Sequence, residues 1–313
     1  MIPLRRTRRP LLATLAAGLL LAAAGGPALA QDDAPVRVAS KIDTEGSLLG
    51  QLVLQVLEAN GIRTQNKLQL GTTKILRGAL VAGEIDLYPE YTGNGAFFFS
   101  DEKNPAWKNA KAGYERVKSL DEKNQLVWLE PAPANNTWAI AIRRDVATAQ
   151  HLKTLDDFGK WVAGGGKLKL AASAEFVERP DALPAFQATY GFKLKQDQIL
   201  TLAGGDTTVT LKAAAEQTSG VNAAMAYGTD GPVAALGLVV LEDTKSAQPI
   251  YAPAPVVRAE VLQRRPKIRP LLAPVFQSLD APTLQSLNAK IAIDGQDAKK
   301  VAAAYLKAKG FVR

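Results

Sequence analysis

Apolar positions along this chain recur with two periods. Positions 36–40 form a short apolar run of strand type, and Leu48, Leu49, Leu52, Val53, Val56 and Leu57 then recur at helical spacing up to a stop at Asn60 and Gly61. Positions 67–70 with 72–82, and 85–88 leading into 92–99, repeat this strand-then-helix unit. The stretch 136–142 reads as a strand that leaves the first group. The rhythm then restarts: helix 155–162, strand 168–171, helix 182–190, strand 198–202, helix 207–217 and strand 223–227. Prolines at 249, 253 and 255 forbid a helix over 249–258, which reads as a second extended crossover. Everything from Ala259 onward is helical with proline breaks. Alternation of this kind predicts an α/β fold with parallel strands. The two crossovers predict two lobes around a cleft, one built from 31–136 plus 252–313 and the other from 137–251.

The first thirty residues stand outside that rhythm. Arg5, Arg6, Arg8 and Arg9 precede an apolar run over 11–24 that is short for a bilayer span, and Ala28-Leu-Ala30 fits a small-residue cleavage site. A cleaved export signal is expected, with the mature chain starting near Gln31; Arg8-Arg9 leaves the general and twin-arginine routes both open. Positions 1–30 hold four arginines and no acid, so of the formal +8 the remainder carries +4. No cysteine is present, which removes disulfides and thiol-linked lipid anchors. The later basic run at Arg264, Arg265, Lys267 and Arg269 is broken by Pro266 and lacks interleaved aromatics, so it reads as a solvated face and not as a nucleic-acid site.

Catalytic constellations are sparse. His151 is the single histidine and has no cysteine to join it, so triads and zinc sites lose most of their usual ligands. Gly164-Gly-Gly166 and Gly204-Gly205 match neither a dinucleotide fingerprint nor a phosphate loop. Asp86 and Glu90, four apart in an extended segment, lie roughly 13 Å from each other. No cofactor, metal site or catalytic residue is assigned.

Tyr88-Pro-Glu-Tyr-Thr-Gly-Asn94 instead places two phenols and a carboxylate at a strand end, just before a helix start, where α/β proteins bind ligands. Tyr91, Trp138, Tyr227 and Tyr251 all fall at or near predicted strand ends. Such rings either pack in cores or line a cleft, and in a cleft their negative faces suit a quaternary ammonium ion.

Several stretches resemble the periplasmic substrate-binding proteins of ABC importers for glycine betaine, choline and related osmoprotectants. They are Ala39-Ser-Lys-Ile-Asp-Thr-Glu-Gly46, the 83–93 segment ending in Tyr-Pro-Glu-Tyr-Thr-Gly, Asn135-Asn-Thr-Trp-Ala-Ile-Ala141, Glu175-Phe-Val-Glu-Arg179, Ala226-Tyr-Gly-Thr-Asp230 and 251–257. The resemblance implies a two-lobed (type II-like) periplasmic-binding fold that closes on ligand, and a monomer that hands its cargo to an inner-membrane ABC permease. It also implies an aromatic box of Tyr91, Trp138, Tyr227 and Tyr251, with Lys41 and Arg179 meeting the ligand carboxylate. Asn94 and Asn136 stand at ligand-facing positions where relatives carry threonine and an acid, and Trp138 stands where tyrosine is common. That pattern is closest to the osmotically induced branch. An enzyme on the same scaffold, or a binder of a different amine or organic anion, are the alternatives.

Overall fold

The computed structural model describes Met1–Ile2 and Ala34–Arg313. The expected export signal, 1–30, therefore lies outside the described residues except for its first two. Among the described residues no helix is long and apolar enough to cross a membrane.

Ten strands build two five-stranded sheets. The first contains β1 (Val36–Lys41), β2 (Thr64–Gly71), β3 (Leu87–Tyr91), β4 (Leu126–Trp128) and β10 (Pro253–Arg258), in the order β2-β1-β3-β10-β4. The second contains β5 (Trp138–Arg143), β6 (Leu170–Ser173), β7 (Ile199–Leu202), β8 (Ala223–Tyr227) and β9 (Leu238–Val240), in the order β7-β6-β8-β5-β9. The two orders are the same topology. In each, three parallel strands are followed by one that runs antiparallel to both of its neighbours: β10 beside β3 and β4, and β5 beside β8 and β9. The chain is α/β and two-lobed, one sheet per lobe.

The helix Thr44–Ala59 carries the apolar stripe read from the sequence, and Leu48, Leu49, Leu52, Val53, Val56 and Leu57 are all buried. Asp43 caps its first turn by accepting from the Gly46 N–H at 2.7 Å. Several elements are shorter than the periodicity predicts. The helix expected over 92–99 is confined to Asn94–Phe98, because Thr92 and Gly93 are held by the crossover: Thr92 N–H donates to the Ala252 carbonyl. The helix Ala110–Asp121 and the short strands β4 and β9 have no counterpart in the sequence reading. That helix is largely polar, with only Gly113, Val117 and Asp121 buried, so its apolar stripe is too thin to read.

Two segments, 129–137 and 241–252, join the sheets; the first runs along β10 and meets the second where Asn136 reaches Tyr251. Leu129 N–H donates to the Pro255 carbonyl, Ala132 to Pro253 and Asn136 to Tyr251, all between 2.7 and 2.9 Å. Gly93 makes this approach possible, since a Cβ there would lie 2.8 Å from a ring carbon of Tyr251 and 2.9 Å from the Ile250 carbonyl oxygen. Gly93→Ala is therefore expected to destabilise the protein by about 1–3 kcal/mol through overpacking, read as a lowered urea midpoint.

Candidate ligand-binding site

Parallel strands deliver side chains to their carboxyl ends. Lys41 closes β1, Tyr91 closes β3 and Tyr227 closes β8, while Trp138 opens β5 as the antiparallel partner. Trp138 and Tyr227 are direct register partners, which sets their rings 4.8 Å apart at 40°. Tyr251 enters from the second crossover, its N–H bonded to Asn135 Oδ1 and its hydroxyl to Asp181.

A cavity with about 30 Å³ of space open to the centre of a water-sized sphere is lined by Lys41, Tyr91, Asn94, Asn136, Trp138, Tyr227 and Tyr251, together with Asp43, Thr72, Thr73 and Glu175. Seven of the eight residues singled out in the sequence thus share one space. Tyr91, Trp138 and Tyr251 are each no more than 5 % exposed. Burial, joined by nearby carboxylates, pushes the phenols of Tyr91, Tyr227 and Tyr251 well above their ordinary value of 10.0, so the rings stay neutral.

Arg179 is the exception, because it does not line the cavity. Its Nε and Nη2 donate to the two oxygens of Asp181 at 2.9 and 2.6 Å, and Nη1 donates to Asn94 Oδ1 and Glu175 Oε1, both at 2.9 Å. The guanidinium also lies over Phe97, 4.3 Å from the ring centroid, and 5.9 Å from that of Trp138. Every face of the group is occupied by protein.

Lys41 is held in a similar way. Its ammonium is 2.8 Å from Glu90 Oε1, donates to Thr73 Oγ1 at 2.8 Å, and stands 4.9 Å from the centroid of the Tyr91 ring. Glu90, fully buried, also accepts from Tyr88 O–H, Tyr91 N–H and Asn94 Nδ2 at 2.7–2.8 Å. Asn94 is consequently a bridge: its amide nitrogen binds Glu90 and its oxygen binds Arg179, which joins the charge clusters of the two sheets.

Below the rings lies another buried acid. Glu45 accepts from Tyr91 O–H, Asn136 Nδ2 and Asn288 Nδ2 at 2.7–2.9 Å, and burial pushes its carboxyl up against the pull of those bonds. Burial likewise pushes Asp43 up to about 6. Glu45, Glu175, Asp181 and Asp43 went unread as site residues. Their only signal was an acid inside a motif already noted, as in Lys-Ile-Asp-Thr-Glu and Glu-Phe-Val-Glu-Arg, because a carboxylate's buried partners lie far off in sequence. Asp86 pairs with Arg37, outside the site, and His151 is exposed at a turn.

Neutral rings, a braced ammonium and buried carboxylates suit retention of a small polar ion. Residues 34–308 match the family model described as the substrate binding domain of ABC-type glycine betaine transport systems (OpuAC). This chain belongs to that family. It is 64 % identical over 305 residues to the glycine betaine-binding protein YehZ of Escherichia coli K12, covering 97 % of this chain and 100 % of that protein. A glycine-betaine-binding protein of Pseudomonas aeruginosa PAO1 is 35 % identical, covering 92 % and 93 %. The solved structure of apo YehZ, 67 % identical, aligns over 89 % of this chain and 100 % of that one with a TM-score of 0.66. A solved glycine betaine/carnitine/choline ABC transporter structure shares the fold at 21 % identity, covering 88 % and 99 % with a TM-score of 0.68. As a member of the OpuAC family the chain is a substrate-binding protein and not an enzyme.

The bridge at Asn94 yields a test that needs no ligand. Asn94→Ala leaves one donor of Arg179 and one acceptor site of Glu90 unpaired inside the protein, and should lower stability by about 1–3 kcal/mol. Chemical denaturation of the two proteins side by side checks it.

Proposed function

We propose that the chain is the periplasmic receptor of an ABC importer, capturing glycine betaine or a close quaternary amine between lobes 31–136 plus 252–313 and 137–251. It then delivers the ligand, as a monomer, to an inner-membrane permease. The observation that supports this most is the convergence of Tyr91, Trp138, Tyr227 and Tyr251 on one cavity with Lys41 at its edge, in a chain of this family. The trimethylammonium group sits among the neutral rings, each contributing about 0.5–2 kcal/mol once desolvated. The carboxylate lies toward Lys41, with Arg179 behind it through Asn94. For either cation to bind the ligand directly, part of its bonding to Glu90, Asp181 or Glu175 has to be exchanged. Closure is then driven by contacts that only the ligand-bound arrangement makes.

Asp43 and Glu175 in the cavity wall favour a second reading, a cation without a carboxylate such as choline. Calorimetric titration with glycine betaine and choline separates the two. Heat of binding for neither would overturn the quaternary-amine assignment.

Variants divide the labour within the site. Tyr227→Ala should weaken betaine and choline alike, by about 0.5–2 kcal/mol. Lys41→Ala and Arg179→Ala should cost about 2–5 kcal/mol for betaine and much less for choline. Equal losses for both ligands in Arg179→Ala would mark it as a brace for Trp138 and Asn94 and remove it from the carboxylate contact.

A further inference from the structure

Gly231 has φ −69° and ψ −33°, a helical conformation open to every residue, so glycine is not needed there for its backbone freedom. It is needed for proximity. A Cβ at this position would lie 2.1 Å from the Gln285 carbonyl oxygen, 2.8 Å from the Ala289 Cβ and 3.0 Å from the Ala289 nitrogen. Gln285 and Ala289 belong to the helix Ala281–Ala292, which packs on the helix Thr44–Ala59 of the first lobe. Gly231 precedes the short helix Pro232–Ala235, which packs on β9 of the second. The two lobes therefore touch here backbone to backbone.

Side chains of the same helix reach across beside it. Gln285 Nε2 donates to the Gly228 carbonyl at 2.9 Å, and Asn288 Nδ2 donates to the Thr229 carbonyl at 3.1 Å. Farther along the seam, Thr44 Oγ1 stands 3.4 Å from Thr208 Oγ1 and 3.3 Å from Asp206 Oδ2. The residues that face each other are small or polar: Thr229, Gly231 and Pro232 on one side, Asn288, Ala289 and Ala292 on the other. A seam of this composition can part without exposing a large apolar surface, as contacts between mobile domains do. It is also continuous with the ligand cavity. The narrow gap lined by Thr229, Pro232, Asn288 and Ala292 shares Asp43, Asn136 and Tyr227 with that cavity.

We propose that this seam is a latch that sets ligand affinity by holding the lobes closed. Gly231 admits the helix Ala281–Ala292, and Gln285 and Asn288 fasten that helix to the carbonyls of 228 and 229. Both partners are protein groups, so the latch engages without ligand and adds its free energy to closure. This role of the seam rests on the reading of the cleft as a quaternary-amine site. Gly231 and Gln285 do not line the ligand cavity, so they act on affinity only through the fraction of molecules that are closed. Such a latch has a signature that a ligand contact lacks. Weakening it lowers the affinity for every ligand by the same factor, whatever the chemistry of the ligand.

The test combines a distance with an affinity. The chain has no cysteine, so Lys74→Cys and Lys212→Cys, one exposed site on each lobe, can carry a pair of spin labels alone. In amine-free protein Gly231→Ala should shift the label distances to longer values. By calorimetry it should weaken glycine betaine and choline by one common factor, about tenfold or more. Gln285→Ala should act in the same direction by about two- to tenfold, and it decides the question if Gly231→Ala fails to fold. Unchanged distances, with or without a lowered melting temperature, would mark the contact as fixed packing and overturn the proposal. So would shorter distances with tighter binding, which would place the contact behind the crossovers, and so would unequal losses for the two amines. If the wild-type protein binds neither amine, the reading of the cleft fails, and the label distances still decide whether the seam holds the lobes closed.

Discussion

Burial of Glu90 is the constraint around which the cleft is organised. A carboxylate with no exposure is tolerable only if its charge is matched and its lone pairs are filled. Lys41 supplies the charge, and Tyr88, Tyr91 and Asn94 supply the remaining donors. Three of those four residues are thereby fixed at the cavity wall before any ligand arrives. Asn94 then extends the network to Arg179, whose own burial is met by Asp181 and Glu175. Removing one member leaves a neighbour uncompensated, so the cavity-lining side chains Lys41, Tyr91 and Asn94 are held as one network.

The same braced cations shape the ring surface of the cavity. The ammonium of Lys41 already stands over Tyr91, and the guanidinium of Arg179 lies near Trp138. Two of the four rings thus have a resident cation on one side. The Trp138–Tyr227 pair and Tyr251 carry the ring surface that the proposed quaternary amine would use.

Much of this organisation was legible in the sequence, because it rests on local pattern. Predicted strand ends located Tyr91, Trp138 and Tyr227, the family resemblance located Lys41, and the prolines at 253 and 255 marked the return strand. The alternation of elements gave the two-lobed α/β class. What stayed hidden depends on distance. Glu45 meets Asn288 across more than two hundred residues, and Arg179 meets Asn94 across 85. No periodicity encodes such pairings. Arg179 was singled out through a motif, and the motif could not reveal that Asp181, two residues on, takes two of its four hydrogen bonds. The thin stripe of the helix Ala110–Asp121 was missed for a different reason: its buried face is made of glycine, valine and a hydrogen-bonded aspartate, and no apolar spacing announces it.

The paired crossovers carry a mechanical implication. Residues 129–132 continue along β10 as an edge of the first sheet, and the two crossovers themselves meet where Asn136 N–H donates to the Tyr251 carbonyl. The Asn136–Tyr251 bond, reinforced by Tyr251 N–H to Asn135 Oδ1, fastens the two connections to each other as well as to their own sheets. Asn136, Trp138 and Tyr251 of the cavity wall all lie at or next to that fastening. This part of the wall is therefore shaped by how one crossover grips the other, and it is the part least dependent on how either sheet is built.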